Sequence, residues 1–128
     1  MKLIVCVDKN NGLSFNHRRQ SRDRIVTQDI VRCAPVRIAP ASASLFADYP
    51  GAVMVSEDFL TAAKPDERCF AELLPLPEAP EVLTLYRWDR DYPADAFLPY
   101  DLSRWTLVSV EELTGYSHER IFKEVYAK

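Results

Sequence analysis

The chain has 128 residues, a formal net charge of −3, and a composition that is 48% hydrophobic and 27% charged. These values are typical of a single globular domain, residues 1–128, with enough apolar material for one core. A pI near 5.4 disfavours bulk nucleic-acid binding, because domains that follow a phosphate backbone usually carry a basic balance. No apolar run reaches the roughly 20 residues that cross a membrane, so no membrane partner and a cytoplasmic location are expected.

The three cysteines, Cys6, Cys33 and Cys69, are widely separated and form no Cys-x-x-Cys pair. Each lies in an apolar stretch, so we expect three buried free thiols rather than a redox site. The two histidines, His17 and His118, are far apart in the chain. Because zinc takes three or four ligands at close spacing, no metal site is predicted.

In the first half of the chain, strand patterns alternate with helix patterns. Short β-branched runs bounded by turn signals predict strands at 2–7, 36–39, 52–55, 69–71 and 81–88, with a turn at 10–12 and loop at 13–16. Ser21 is a candidate N-cap for a helix that carries Val26 and Ile30 on one face and ends at Pro35. Shorter helices are expected over 41–47 and, capped by Ser56, over 57–63.

The remaining chain has no strong helical pattern. Residues 74–80 contain three prolines and are expected to form an ordered connection without regular helix. Residues 105–110 alternate polar and apolar side chains and predict a half-buried strand, and 119–126 continue in the same way. Together the chain predicts an α/β domain, with a mixed, mostly parallel sheet, flanking helices and an antiparallel C-terminal hairpin. Trp88 and Trp105 are expected to be core or sheet-face aromatics rather than base-stacking platforms.

The densest polar segment is residues 17–24, which follows the first strand and its turn. It contains four arginines (Arg18, Arg19, Arg22 and Arg24), together with His17 and Asp23. One interpretation is a solvated helix start whose arginines pair with nearby acids. The other is a binding site for a phosphate or carboxylate, because the planar guanidinium binds both groups through two hydrogen bonds. The position after a strand and a turn, where α/β proteins place ligands, favours looking for a site here.

The ends of the chain resemble dihydrofolate reductase. The matching segments are Leu3–Leu13, Leu83–Trp88, Tyr92–Pro99, Asp101–Ser109 and Phe122–Tyr126. The resemblance implies that family's fold, and it places Asp23 near the acidic residue that binds the pterin and assists its protonation there. It also implies a nicotinamide cofactor, but the glycines and the arginine that hold its phosphates have no counterpart around Ile38–Ser42 or Cys69–Glu72. We therefore expect no cofactor, with NADPH kept as an alternative.

Asp23 and His118 are the candidate catalytic residues. For Asp23 the competing interpretation is a helix-start acid paired with an arginine, and the flanking arginines oppose the raised pKa that proton donation needs. For His118 it is a histidine in a surface loop. If the reductase-like fold brings that loop close to the first one, His17 and His118 form an acid–base pair beside the arginines.

Three functions follow from these residues. The first is a reductase-fold protein without reductase activity, whose arginine cluster binds a small anionic ligand, a nucleotide or a partner. The second is a nucleotide or RNA phosphodiester hydrolase that uses the same arginines with His17 or His118. The third is an NADPH-dependent reductase. The sequence leaves the ligand and the oligomeric state open.

Overall fold

Ten β-strands and one α-helix form the regular structure in the computed structural model, which describes residues 1–128. The strands are β1 (Lys2–Val7), β2 (Gly12–Phe15), β3 (Arg18–Arg19), β4 (Val36–Ile38), β5 (Val53–Val55), β6 (Arg68–Phe70), β7 (Val82–Trp88), β8 (Ala96–Phe97), β9 (Thr106–Leu113) and β10 (Ile121–Ala127). The helix is α1 (Arg24–Val31), and short 3₁₀ helices cover Pro40–Phe46, Pro50–Ala52 and Leu102–Arg104.

Seven strands form the main sheet, in the order β5-β4-β6-β1-β7-β10-β9. The five strands from β5 to β7 are parallel. Strand β10 pairs antiparallel with both β7 and β9. Parallel neighbours need crossover connections, which here contain α1 and the 3₁₀ segments. The predicted α/β fold, with its mostly parallel sheet and antiparallel C-terminal hairpin, is confirmed.

A second, three-stranded sheet follows β1, in the order β3-β2-β8. The loop predicted over residues 13–16 is wrong, because Gly12–Phe15 forms β2 and pairs with β8 more than 80 positions later. Asn16 and His17 have φ values of 51° and 59° and form the two-residue turn between β2 and β3. Positive φ at both positions matches the twist that a tight hairpin requires. This turn brings Arg18 and Arg19 back over the main sheet.

Asp23 is the N-cap of helix α1, and its carboxylate accepts from the Ile25 N–H. The predicted cap at Ser21 is wrong, because the Ser21 hydroxyl contacts His118 instead. Val26 and Ile30 are buried on the inner face as expected, and the helix ends at Val31, four residues before Pro35.

The helix predicted over residues 57–63 is wrong. Its residues form successive turns, with one helix-like bond from the Ala62 N–H to the Asp58 carbonyl. Seven residues give few hydrogen bonds to offset the entropy of helix nucleation. Phe59 and Leu60 still pack against the core from this turn segment. The proline-rich stretch 74–80 contains no helix or strand, as expected.

The two faces of the sheet carry separate hydrophobic clusters. Along β1, Ile4 points to the face covered by α1, where it joins Phe70, Tyr86 and Trp88. Leu3, Val5 and Val7 point to the other face, where they join Cys69, Leu83 and Leu85. This alternation follows from the two-residue period of a strand. The tryptophan prediction is confirmed for Trp88, which is 1% exposed, while Trp105 packs beside Tyr100 at the edge of the second cluster.

Strand β9 departs from its predicted burial. The strand predicted over residues 105–110 is present in β9, but its predicted half burial is wrong, because β9 is the sheet edge and its side chains are exposed up to Leu113, which is partly buried. Of the three cysteines, Cys69 is buried and Cys6 partly buried, but Cys33 is exposed just after α1 ends, so its predicted burial is wrong. No helix is both long and apolar enough to cross a bilayer.

Candidate functional site

The chain order of the sheet creates a crevice between the carboxyl ends of β4 and β6. The chain leaves β4 for the outer strand β5, whereas it leaves β6 for β7 on the other side of β1. Neighbouring strands whose connections diverge in this way leave an opening at their carboxyl ends, where open α/β sheets bind ligands. The topology alone therefore marks this edge as the place to look for a site.

A cleft of about 640 Å³ lies at this switch point. Its walls come from the β2–β3 hairpin and from the segments that follow β4, β5 and β6. They are formed by His17, Arg18, Arg19, Ala39, Ala41, Ser42, Glu57, Asp58, Phe59, Leu60, Thr61, Glu72, Leu73, Leu74 and Pro75. The volume falls in the range of small-molecule pockets. We call this space the switch-point cleft.

The Arg19 guanidinium is bonded to other residues of the protein and is not free to bind a ligand. Its guanidinium binds the Glu72 carboxylate through two hydrogen bonds of 2.6 and 3.0 Å and reaches the Ala41 carbonyl at 3.2 Å. The Ser42 hydroxyl donates to the same carboxylate at 2.7 Å. The hydrogen bond to Glu72 raises the pKa of Arg19. This bridge ties the hairpin to the segments after β4 and β6, and it places a carboxylate at the crevice.

The other three arginines of the segment have different environments. Arg18 and His17 are exposed, line the switch-point cleft and take part in none of the ion pairs of the structure. Arg24 lies over the Tyr116 ring, 4.4 Å from its centroid, and Arg22 is exposed outside the cleft. The structure therefore does not gather the four arginines into one site.

Asp23 is held in a buried network instead of the cleft. Oδ1 accepts from the Ile25 and Tyr116 N–H groups, both at 2.9 Å. Oδ2 accepts from the Ser117 N–H at 2.9 Å, the Ser117 hydroxyl at 3.2 Å and His118 Nδ1 at 2.9 Å. Burial opposes ionisation, but the hydrogen bonds outweigh it and lower the pKa to about 2. Asp23 is therefore ionised at neutral pH and is not set up to donate a proton.

His118 is the second member of this network. The expectation that it lies in a surface loop is wrong, because it is 5% exposed. Its Nε2 lies 3.1 Å from the Ser21 hydroxyl and 2.8 Å from the Tyr92 hydroxyl. Its ring stacks on Trp88 with 4.5 Å between centroids. His118 does not line the cleft that His17 lines, so the structure does not join the two histidines in one site.

Gly115 allows the β9–β10 turn to reach Asp23. A Cβ at this position would lie 2.5 Å from the His118 carbonyl oxygen and 2.7 Å from Asp23 Oδ2. Both distances are shorter than any normal contact, so the close approach depends on the missing side chain. Sequence reasoning did not connect Gly115 with Asp23, because the two residues are distant along the chain.

Several participants were missing from the sequence-based site. Ser21 is predicted only as a helix cap and Trp88 as a core residue, and Glu72 and Tyr92 are given no role, yet all four make principal contacts of the two regions. The pairs that they form are separated by 26 to 97 positions along the chain, so no local pattern indicates them. No group of three or more histidine, cysteine or acidic side chains comes together in a metal-binding arrangement.

Comparisons with known proteins identify the fold. No protein-family model and no curated protein sequence matches this chain. Among solved structures, the chain is similar to dihydrofolate reductase from Enterococcus faecalis, determined in complex with NADP(H) and RAB-propyl. The superposition has a TM-score of 0.66 at 14% identity, and it covers 98% of this chain and 94% of the reductase. The expected resemblance to dihydrofolate reductase is thus confirmed at the level of the fold.

Proposed function

From a fold shared with dihydrofolate reductase, we propose that this chain binds a small anionic ligand in the switch-point cleft and does not catalyse a dinucleotide-dependent reduction. The observation that carries the proposal is Arg18, an exposed guanidinium that lines the cleft and has no carboxylate partner. A guanidinium held in this way is free to bind a phosphate or carboxylate through two hydrogen bonds.

The other groups in the walls of the cleft indicate which class of ligand it could bind. Phe59, Leu60 and Leu74 supply apolar surface for a ligand body. The N–H groups of Leu73 and Leu74 donate to no protein acceptor, so they are free to bind a ligand oxygen. Glu57 and Asp58 add carboxylates to the same walls, which favours a ligand that also carries hydrogen-bond donors. A nucleotide or a small aromatic acid with amino groups has this combination.

A dinucleotide fits the residues poorly. At the carboxyl end of β4, Pro40 removes one backbone N–H that a phosphate would use. At the end of β6, the Glu72 carboxylate is fixed by Arg19 and Ser42 at the crevice. The Glu72 side chain, held there, fills space that a glycine would leave open for the close approach of a dinucleotide phosphate. These two features support the proposal that cofactor-dependent reduction is absent.

The test is a thermal-shift panel of phosphate, citrate, AMP, folate and NADPH, run on the unmodified chain, Arg18→Ala and Arg22→Ala. Arg22 is the matched control, because it is an exposed arginine of the same segment that does not line the cleft. A ligand at 100 times its Kd stabilises a protein by about 2.7 kcal/mol. We expect at least one non-dinucleotide hit that Arg18→Ala weakens and Arg22→Ala preserves.

Two outcomes would contradict the proposal. If every hit is unaffected by Arg18→Ala, Arg18 is a surface residue only. If NADPH binds and is oxidised in the presence of a folate, the reductase alternative replaces the proposal. The hydrolase alternative with His17 and His118 has no supporting contact, since the two histidines lie in different regions.

A further inference from the structure

Ser21, His118 and Asp23 stand in the order of a nucleophile, a base and an orienting acid. The Ser21 hydroxyl lies 3.1 Å from His118 Nε2, and His118 Nδ1 lies 2.9 Å from Asp23 Oδ2. Both distances are within hydrogen-bonding range, and the two contacts use opposite nitrogens of one imidazole. This is the arrangement by which a histidine takes the proton of a serine hydroxyl while a carboxylate fixes its tautomer.

The environment fixes the protonation pattern of the imidazole. An ionised Asp23 only accepts hydrogen bonds, so Nδ1 carries the proton and the lone pair of Nε2 faces the hydroxyls of Ser21 and Tyr92. Stacking on Trp88 at an interplanar angle of 23° and the edge contact with Tyr92 hold the ring in place. Asp23 is itself held by the Ile25, Tyr116 and Ser117 backbone N–H groups. The geometry is therefore pre-set rather than dependent on a mobile side chain.

Three backbone N–H groups without acceptors follow Ser21 directly in the chain. The backbone N–H groups of Arg22, Asp23 and Arg24 have no acceptor in the protein. They precede and open α1, where the helix dipole adds positive potential. The N–H of the residue after a nucleophilic serine is a common oxyanion donor in hydrolases.

We infer that Ser21, His118 and Asp23 form an acyl-transfer site that hydrolyses a small carboxylic ester, an activity separate from ligand binding in the switch-point cleft. Ser21 Oγ bonds to the ester carbonyl carbon while its proton passes to His118 Nε2. The carbon–oxygen bond to the alcohol then breaks, and the alcohol leaves with the proton from Nε2. Water attacks the acyl-serine, its proton again passing through Nε2, and the carboxylic acid and free Ser21 are released.

Tyr92 lies beside Ser21 and also contacts the imidazole that would activate it. Ser21 is partly exposed and itself lines a cavity of only about 10 Å³, whereas an open concavity of about 550 Å³ is lined by the neighbouring Gln20 and Tyr92. The Tyr92 hydroxyl, 2.8 Å from Nε2, competes with Ser21 for the same lone pair. Tyr92 is a positioning residue, and its replacement by Phe leaves Nε2 to Ser21 alone. Tyr92→Phe should therefore increase the reactivity of Ser21.

The experiment measures covalent labelling of the folded chain by a fluorophosphonate, followed by intact mass and peptide mapping, beside hydrolysis of p-nitrophenyl acetate. We expect one adduct, located on Ser21, in the unmodified chain and in Tyr92→Phe. Ser21→Ala should abolish labelling and slow hydrolysis by on the order of 100-fold. Ser103→Ala is the matched control, since Ser103 is an exposed serine whose hydroxyl contacts Asp101 and not a histidine. It should behave like the unmodified chain.

A second variant tests the contact between residue 21 and His118 without requiring ester hydrolysis. Ser21→Cys in a Cys33→Ser background places a thiol against His118 Nε2, which should make it react with iodoacetamide at least about 10-fold faster than exposed Cys33 in the unmodified chain. The inference is overturned if the fluorophosphonate does not label Ser21, or if the thiol introduced by Ser21→Cys reacts no faster than Cys33. Neither result bears on ligand binding at Arg18, so the two proposals fail separately.

Discussion

The two polar regions built from residues 17–24 differ in what their charged groups face. Asp23 has five protein donors around its two oxygens and a side chain with no exposed surface. Arg18, five residues earlier, is exposed and has no ion-pair partner. A charge that the protein satisfies fixes structure, whereas a charge that it leaves unsatisfied is available to a ligand. One short segment therefore supplies both a structural centre and a binding surface.

The largest expected effect comes from removing the buried charge. Asp23→Ala leaves His118 and three backbone N–H groups without their acceptor, and it removes the cap of α1. We expect a loss of about 3–5 kcal/mol in the free energy of unfolding, measured by urea titration. Asp101→Ala is the control, because Asp101 caps an exposed 3₁₀ helix. If both variants lose the same amount, the buried network contributes nothing beyond a cap.

Gly115→Ala tests the same region by crowding it rather than by removing charge. The new Cβ would meet the His118 carbonyl and Asp23 Oδ2 inside normal contact distance. Overpacking of this kind costs about 1–3 kcal/mol. In Gly51→Ala the Cβ meets nothing within 4 Å, so that variant should be nearly neutral. Equal thermal midpoints for the two variants would show that the turn relaxes freely away from Asp23.

Acid should weaken the buried region in a defined pH window. The folded-state pKa of Asp23, about 2, lies below its ordinary value of 3.8. A depressed pKa stabilises the fold above pH 4, and this stabilisation disappears as the pH falls toward 2. We expect the stability difference between the unmodified chain and Asp23→Asn to shrink by about 2 kcal/mol across that range. A difference that stays constant with pH would mean that the pKa of Asp23 is not lowered in the folded protein.

The smallest expected changes in stability distinguish the two arginines of the cleft, Arg19 and Arg18. Arg19→Ala breaks the bridge to Glu72 and should lower the free energy of unfolding by about 1–2 kcal/mol. Arg18→Ala removes no hydrogen bond or ion pair within the protein and should change the free energy of unfolding by less than about 0.5 kcal/mol. Paired urea titrations measure both. A destabilisation by Arg18→Ala as large as that by Arg19→Ala would remove the basis for treating Arg18 as free.

Much of the fold could be predicted from local sequence patterns. The apolar and β-branched runs at 2–7 and 81–88 predicted their strands because a buried parallel strand needs apolar side chains on both faces. Burial of β9 could not be predicted in the same way. Its alternation indicates a strand, but only the sheet order shows that β9 is an edge with little packed against it. The short segment 57–63 has helix-like composition, yet it is too short for local hydrogen bonds to decide its conformation.

The site could be predicted only in outline. The sequence located the polar segment at 17–24, because strand, turn and charge are adjacent there. The sequence could not show which of these residues are structural and which face the cleft. Arg19 pairs with Glu72, and Asp23 with His118, across 53 and 95 positions of the chain. The predicted cap at Ser21 is wrong for the same reason, because the Ser21 hydroxyl contacts His118, which is distant in sequence and is not indicated by any local pattern.

The capping of α1 by Asp23 also has a consequence for how the molecule opens. The carboxylate that caps the helix also binds the N–H groups of Tyr116 and Ser117, which connect β9 to β10. The start of the helix and the last hairpin therefore share one set of bonds, although most of the chain separates them. Breathing of either element breaks those bonds for both. The amides of α1 and of β10 should consequently exchange with solvent deuterium as one cooperative unit, while those near Pro40 and Pro50 exchange independently.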